Sequence, residues 1–262
     1  MVTRRLHKLL AIAYIVAILL FLYAPIAVIV LFSFADSPRL SLPIEHLTLQ
    51  WYQRAFADPL LTTALQNSLI LALASALGAV ALGAAFAFGV VKLQKTRIRN
   101  TLLAASLLPA VVPLLVIGIA LAVFFSALGL SQGLRNAAFA HVLVCLPFVV
   151  LTMNSRLERF DFAVVEAARD LGAPPARAFL DVTFPLIRPS IVGAALLAAA
   201  LSLDEFVVTW FNIGSQQTLP VLIWGLMRRG ITPSINAVAS LLLISLIVLV
   251  VVSSLSGQRG KR

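Results

Sequence analysis

Two adjacent carboxylic acids, Asp204 and Glu205, interrupt an apolar run that extends from about Arg188 to Phe211. A charged group near the centre of a bilayer costs about 2.5 to 3.5 kcal/mol on insertion scales, so each acid needs compensation. One chemistry that suits the pair is attraction of a cationic solute along a path through the membrane, with Trp210 as a further candidate on that path. The alternative is structural: a basic partner, a retained proton or interfacial polar contacts for the acids, and interfacial anchoring for the tryptophan.

The other reactive residue types do not form a catalytic or metal-binding pattern. His141 stands alone in an apolar run, which favours a packed and hydrogen-bonded side chain over a ligand. Cys145 is the single cysteine, so an intrachain disulfide and a cysteine-based metal cluster are excluded. The sequence lacks the phosphate-loop pattern G-x-x-x-x-G-K-[ST]. We therefore predict no catalytic residue, metal or cofactor within this chain, and energy must come from a partner or a gradient.

A polar, proline-bearing segment from Glu166 to Pro185 separates two apolar runs. Asp161 is a good N-cap for a helix that continues to Leu171, and Gly172 stands where a left-handed C-cap is favoured. Pro174 and Pro175 suit the start of a second helix. This pattern predicts two short helices at an angle, which together could form a docking surface.

The elements that position these residues are apolar helices. Apolar residues make up 61% of the 262 residues and charged residues 11%, a composition typical of membrane proteins. A spanning helix needs about 20 mostly apolar residues. We predict an all-α integral membrane protein with one transmembrane domain, 1–262, and a kink at Pro109 and Pro113. The six predicted spans are about 9–34, 63–91, 102–127, 137–154, 189–211 and 235–255, with a polar loop at 155–187.

The distribution of basic residues predicts the orientation of these spans. Six spans leave both termini on one side, and that side carries 15 of the 20 lysines and arginines. Because cytoplasmic loops are enriched in basic residues, both termini and the polar segment are predicted to be cytoplasmic. The net charge of +10 does not indicate nucleic-acid binding, since the basic residues are scattered between apolar runs. The remaining five basic residues, on the side opposite the termini, are Arg39, Arg54, Arg135, Arg228 and Arg229.

The polar segment resembles the EAA loop of the membrane subunits of bacterial ABC importers. The pattern of that loop is Glu-Ala-Ala, three residues, Gly, nine residues and Ile-x-Leu-Pro. This chain has Glu166, Ala167 and Ala168, then Gly172, then VTFP ending at Pro185, at the same spacing. The stretches WYQRAFADP, LPAVVPLLVIGIAL and LSLDEFVVTWFNIG resemble the spermidine/putrescine branch of these permeases.

This resemblance implies a fold, a set of partners and a role for the loop. It implies a six-helix type I permease that pairs with a second, similar permease, two cytoplasmic ATPases that hold ATP and Mg²⁺, and an extracytoplasmic substrate-binding protein. It also implies that the loop receives the movement of the ATPases and tilts the spans beside it. The ATPase-coupling residues implied are Glu166, Ala167, Ala168, Asp170, Leu171, Gly172 and Pro185.

The function that these observations predict is a non-enzymatic permease subunit of a polyamine importer in the bacterial cytoplasmic membrane. An importer of another small solute is the nearest alternative. A secondary transporter would need ion coupling and a duplicated half, and residues 1–130 and 131–262 show no convincing repeat. An intramembrane enzyme would need clustered catalytic side chains, which the sequence lacks.

Overall fold

The computed structural model describes residues 2–37, 43–228 and 233–259; of the basic residues counted above, Arg39, Arg229, Lys261 and Arg262 lie outside these ranges. The regular secondary structure of the described residues is helical, apart from one isolated backbone bridge between Ala35 and Leu47, and this confirms the all-α prediction. The helices are α1 (Val2–Phe32), α2 (Gln50–Ala57), α3 (Pro59–Val91), α4 (Thr96–Val111), α5 (Leu114–Ala127), α6 (Leu134–Leu157), α7 (Ala163–Asp170), α8 (Pro175–Ala178), α9 (Phe184–Asp204), α10 (Val207–Asn212), α11 (Leu219–Met227) and α12 (Pro233–Arg259).

Four stretches of the described chain are helical, long and apolar enough to cross a bilayer: Leu10–Phe32, Pro59–Val91, Leu134–Leu157 and Pro175–Asp204. The bent pair α4 and α5 becomes a fifth if it is counted as one span. The last predicted span falls in α12, whose shorter apolar part is Pro233–Ser245. The described part of the chain is therefore that of a multi-pass membrane protein.

The third predicted span is broken rather than gently kinked. The axes of α4 and α5 meet at 96°. The break falls at Val112 and Pro113, both with extended backbone, because a proline disfavours helical geometry in the residue before it. Pro109, the other residue expected to bend this span, lies inside α4.

The chain divides into two compact units, the first formed by Met1–Thr62 and Ile223–Ile244. In this unit the amphipathic helix α2 packs on the end of α1. Trp51 Nε1 donates a hydrogen bond of 2.6 Å to the carbonyl of Ala35, and the Tyr52 hydroxyl lies 2.7 Å from Ser33 Oγ. The guanidinium of Arg54 covers the Trp51 ring at 4.8 Å from its centroid. These contacts fix α2 against the residues that follow α1.

The second unit, formed by Thr63–Leu222 and Ser245–Arg262, contains the polar segment and the acidic pair. Its main core lies between α3, α6 and α9 and includes Val149, Met153 and Ile187, each fully buried. Two glycines of α3 permit the close approach of α6: a Cβ at Gly78 or at Gly83 would lie only 2.7 Å from a side-chain carbon of Val142 or Val149, respectively. Small residues in α3 thus set the spacing of these helices, as expected for membrane helices.

Candidate functional site: the polar loop and a broken span

The first helix of the polar segment, α7, has its predicted C-terminal cap. Gly172 has a φ of +92°, a conformation that glycine adopts without steric cost. Its N–H donates to the carbonyl of Arg169 and the N–H of Ala173 donates to that of Ala168, which closes the last turn. At the other end, the Asp161 carboxylate accepts a 3.0 Å hydrogen bond from Ala163 N–H, although the N-cap position itself belongs to Phe162, one residue later than predicted.

One face of α7 packs on the spans and the other is exposed. Phe162 and Val165 contact the core between α3, α6 and α9, and the Phe162 ring meets Phe160 edge-on at 4.9 Å. Leu171, at the C-terminal cap of α7, is 90% exposed. An open groove borders this exposed side and is lined by Glu166, Arg169, Asp170, Gly172, Ala173 and Pro175. Of the remaining loop residues singled out from the sequence, Ala167 is exposed and Ala168 is half-buried.

The second helix of the segment is not a separate short helix, and in this respect the sequence-based prediction was wrong. From Pro175 the chain runs through a π-helical turn, Phe179–Thr183, directly into α9, so that Pro175–Asp204 is one helical stretch of 30 residues. The π turn ends two residues before Pro185, which lacks the N–H that a regular helix needs at that position. At 1.5 Å per residue this stretch is about 45 Å long. The second part of the polar segment is therefore continuous with the span that follows it.

The predicted fifth span, 189–211, is divided close to its far end. α9 ends at Asp204, Glu205 has extended backbone (φ −71°, ψ 111°), and α10 begins at Val207. Non-helical backbone within a membrane is tolerated where it is covered by protein or lines a water-filled cavity. The break therefore coincides with the two acids that the sequence analysis selected.

The two acids have different surroundings. Asp204, the last residue of α9, is exposed in this chain. Glu205 is half-buried, and its Oε1 accepts a 2.9 Å hydrogen bond from Val208 N–H in the first turn of α10. Trp210 is 46% exposed and its ring lies 5.8 Å from that of Phe206. At the break, the Asp204 carboxylate is therefore exposed, whereas the Glu205 carboxylate accepts a hydrogen bond from the backbone.

Several polar contacts around the break were not predicted from the sequence. His141 of α6 lies 2.7 Å from both Ser202 Oγ and Thr209 Oγ1. Asn212 Nδ2 donates to the carbonyl of Gly118 in α5 at 3.1 Å. The prediction that His141 is packed and hydrogen-bonded is confirmed, but its partners are 61 and 68 residues away, so only a map of long-range contacts could have found them. Among the described residues no three of His, Cys, Asp and Glu are grouped to hold a metal ion.

Comparison with known proteins finds one matching family and similar permease proteins. The sequence profile described as binding-protein-dependent transport system inner membrane component matches residues 79–259. The chain is 35% identical over 251 residues to the spermidine/putrescine transport system permease protein PotC of Escherichia coli (strain K12), covering 95% of this chain and 94% of that protein. It is 35% identical over 230 residues to the putrescine transport system permease protein PotI of the same strain, covering 85% and 82%.

A solved structure shares the fold. A chain of a bacterial ABC transporter involved in the import of the acidic polysaccharide alginate superposes with a TM-score of 0.76 at 16% sequence identity. The match covers 96% of each chain.

Proposed function

The chain belongs to the family of binding-protein-dependent transport system inner membrane components and is a permease subunit of an ABC importer; from this premise we propose that it forms one half of a heterodimeric pore for polyamines. Its partners are then a second, similar permease, two ATPase subunits that carry ATP and Mg²⁺, and an extracytoplasmic binding protein. The protein lies in the cytoplasmic membrane of a bacterium and crosses it six times, with both termini inside.

The observation that carries the coupling role is the continuity of the loop with a span. α7 has an exposed face that borders the groove. The helical stretch Pro175–Asp204 starts at the same groove and ends at Asp204, the first of the two acids. When the ATPases close, the surface formed by Glu166, Asp170 and Leu171 is displaced with them. Because Phe162 and Val165 attach α7 to the core, the movement tilts α6 and α9 as a rigid body. The chain needs no nucleotide site of its own for this work.

The substrate assignment depends on the carboxylate at the break. Polyamines are small organic cations, and the exposed acid at the end of α9 provides an attractive point for them. Trp210 offers an aromatic face nearby in the chain, suited to a cation by its quadrupole. The two relatives described above are named as permease proteins of a spermidine/putrescine and a putrescine transport system. A permease for another small solute is the alternative, and it predicts that neutralising Asp204 leaves uptake unchanged.

The coupling role is tested by charge reversal at two positions in the same segment. Glu166→Lys is expected to abolish ATP-driven uptake while the variant still inserts and assembles, because it reverses a charge in the groove. Asp181→Lys, an equally exposed acid in the π turn outside the groove, is the matched control and should retain uptake. Normal uptake with Glu166→Lys would refute the coupling role.

The substrate role is tested in the same way with neutral variants. Asp204→Asn should reduce polyamine uptake at least about tenfold, since it removes one partner of a charge pair. Asp181→Asn is the control and should transport normally. If both variants transport equally well, Asp204 does not lie on the pathway and the polyamine assignment loses its structural support.

A further inference from the structure

His141 joins the two sides of the broken span to a third helix. Its side chain is 1% exposed, and its ring nitrogens contact two hydroxyls: Nδ1 lies 2.7 Å from Ser202 Oγ, before the break, and Nε2 lies 2.7 Å from Thr209 Oγ1, after it. Ser202 and Thr209 are themselves buried, at 4% and 0% exposed. The imidazole of α6 therefore bridges α9 and α10 across Glu205 and Phe206.

The hydrogen count gives these contacts a direction. Thr209 has one hydroxyl proton, which it donates to the carbonyl oxygen of Glu205 at 2.8 Å. Its oxygen is then the acceptor for His141, so in the neutral imidazole the proton is on Nε2 and Nδ1 accepts from the Ser202 hydroxyl. The hydrogen bonds run from Ser202 through His141 and Thr209 to the Glu205 carbonyl. This chain of bonds ends on the backbone of the break itself.

The same backbone determines where the two acids are. The Glu205 carbonyl is held by Thr209 and the Glu205 carboxylate by Val208 N–H, so both ends of this residue are bound to α10. Asp204 directly precedes it as the last residue of α9 and faces outward. If the break closed into a regular helix, successive residues would turn by about 100° and the direction of the acids would change. Holding the break open thus keeps Asp204 exposed and Glu205 engaged.

We propose that His141 is a positioning residue for the acidic pair: its bridge from Ser202 to Thr209 fixes the break in the span and thereby the direction of Asp204. This rests on the proposed role of Asp204 in attracting the cationic substrate. The residue touches no substrate itself and acts through the backbone of Glu205. Its effect is local to the break, which separates it from a side chain that merely fills space.

The test uses His141→Phe, which keeps a ring of similar size and removes both hydrogen bonds, and His141→Gln, whose amide restores a donor and an acceptor. Cys145→Ala is the control, one turn along the same buried face of α6, where the thiol donates a hydrogen bond to the Ala198 carbonyl. Each variant is studied in the assembled transporter. The readouts are amide hydrogen exchange of the peptide spanning 203–209 and the polyamine concentration that gives half-maximal stimulation of ATPase activity.

His141→Phe is expected to speed exchange in 203–209 about fivefold or more, without a comparable change elsewhere, and to raise the half-maximal polyamine concentration. His141→Gln should restore both in part, and Cys145→Ala should alter neither. Unchanged exchange, or faster exchange with an unchanged half-maximal concentration, overturns the proposal. Thr209→Val and Thr209→Ser repeat the test without altering the imidazole should His141→Phe not assemble: valine should reproduce the defect and serine should not.

Failure of the proposed function and failure of the role of His141 would give different results with the Asp204→Asn and His141→Phe variants. If Asp204→Asn transports normally while His141→Phe still loosens the break, the acid is not on the pathway although the bridge is real. If Asp204→Asn impairs transport while His141→Phe leaves the exchange of the break and the half-maximal concentration unchanged, Asp204 lies on the pathway but His141 does not position it.

Discussion

Replacing Gly83 by alanine is predicted to force α3 and α6 apart. The added Cβ would lie 2.7 Å from Val149 Cγ1 and 3.1 Å from Val149 Cβ. The first contact is about 0.8 Å shorter than the lower end of an ordinary carbon–carbon contact, near 3.5 Å. Rotation of the valine does not relieve it, because Cβ is also too close and the side chain is fully buried. The expected cost is that of overpacking, about 1–3 kcal/mol.

The assay is the free energy of unfolding of the purified transporter in mixed micelles, compared between wild type and four variants. Gly89→Ala is the control on the same helix, where an added Cβ has no neighbour within 4 Å. It should be neutral or stabilise by up to about 1 kcal/mol through helix propensity. The double variant Gly83→Ala with Val149→Ala removes Val149 Cγ1, which makes the shorter contact, and should therefore lose less stability than the sum of the two single variants. Equal stability of Gly83→Ala and wild type, or strictly additive losses in the double variant, would refute the packing account.

Three further predictions concern the break, the loop and the orientation. Gly118→Val should reduce uptake about tenfold or more, because a Cβ at that position lies 3.3 Å from the backbone of Val208 and would displace α10; unimpaired uptake would show that α10 tolerates the shift. Arg99→Ala should change the free energy of unfolding by no more than about 1 kcal/mol, because the ion pair of Arg99 with Glu158 is 29% and 42% exposed; a larger loss would show that the pair is not an ordinary surface contact. A C-terminal fluorescent-protein fusion should be fluorescent and a C-terminal alkaline phosphatase fusion inactive, as a cytoplasmic terminus requires, and the reverse pattern would overturn the six-span orientation.

Local signals in the sequence predicted the features that depend on local chemistry. The cap at Gly172 follows from the conformational freedom of glycine, and it is present as expected. The break at Pro113 follows from proline geometry, whereas the inclusion of Pro109 within a regular helix does not. The apolar runs likewise predicted where the long helices lie, because a bilayer requires length and apolar composition.

The features that depend on distant residues could not be predicted in this way. Continuity of the second loop helix with α9 was missed because the fifth span was predicted to begin only at residue 189, whereas the π turn joins the two helices well before that position. The acids at the break were noticed for their charge, but the bonds of Glu205 to Val208 and of His141 to Thr209 depend on how α6 packs on α10. No periodicity within one segment contains that information.

The proposed mechanism requires that this chain imports a polyamine only when the ATPases move the loop that contains Glu166. The measurement that tests it most directly is accumulation of labelled spermidine in proteoliposomes that contain the assembled transporter and its binding protein. Accumulation should require ATP, persist in Asp181→Lys and vanish in Glu166→Lys. Accumulation without ATP under an ion gradient, or equal uptake by Glu166→Lys, would contradict the account.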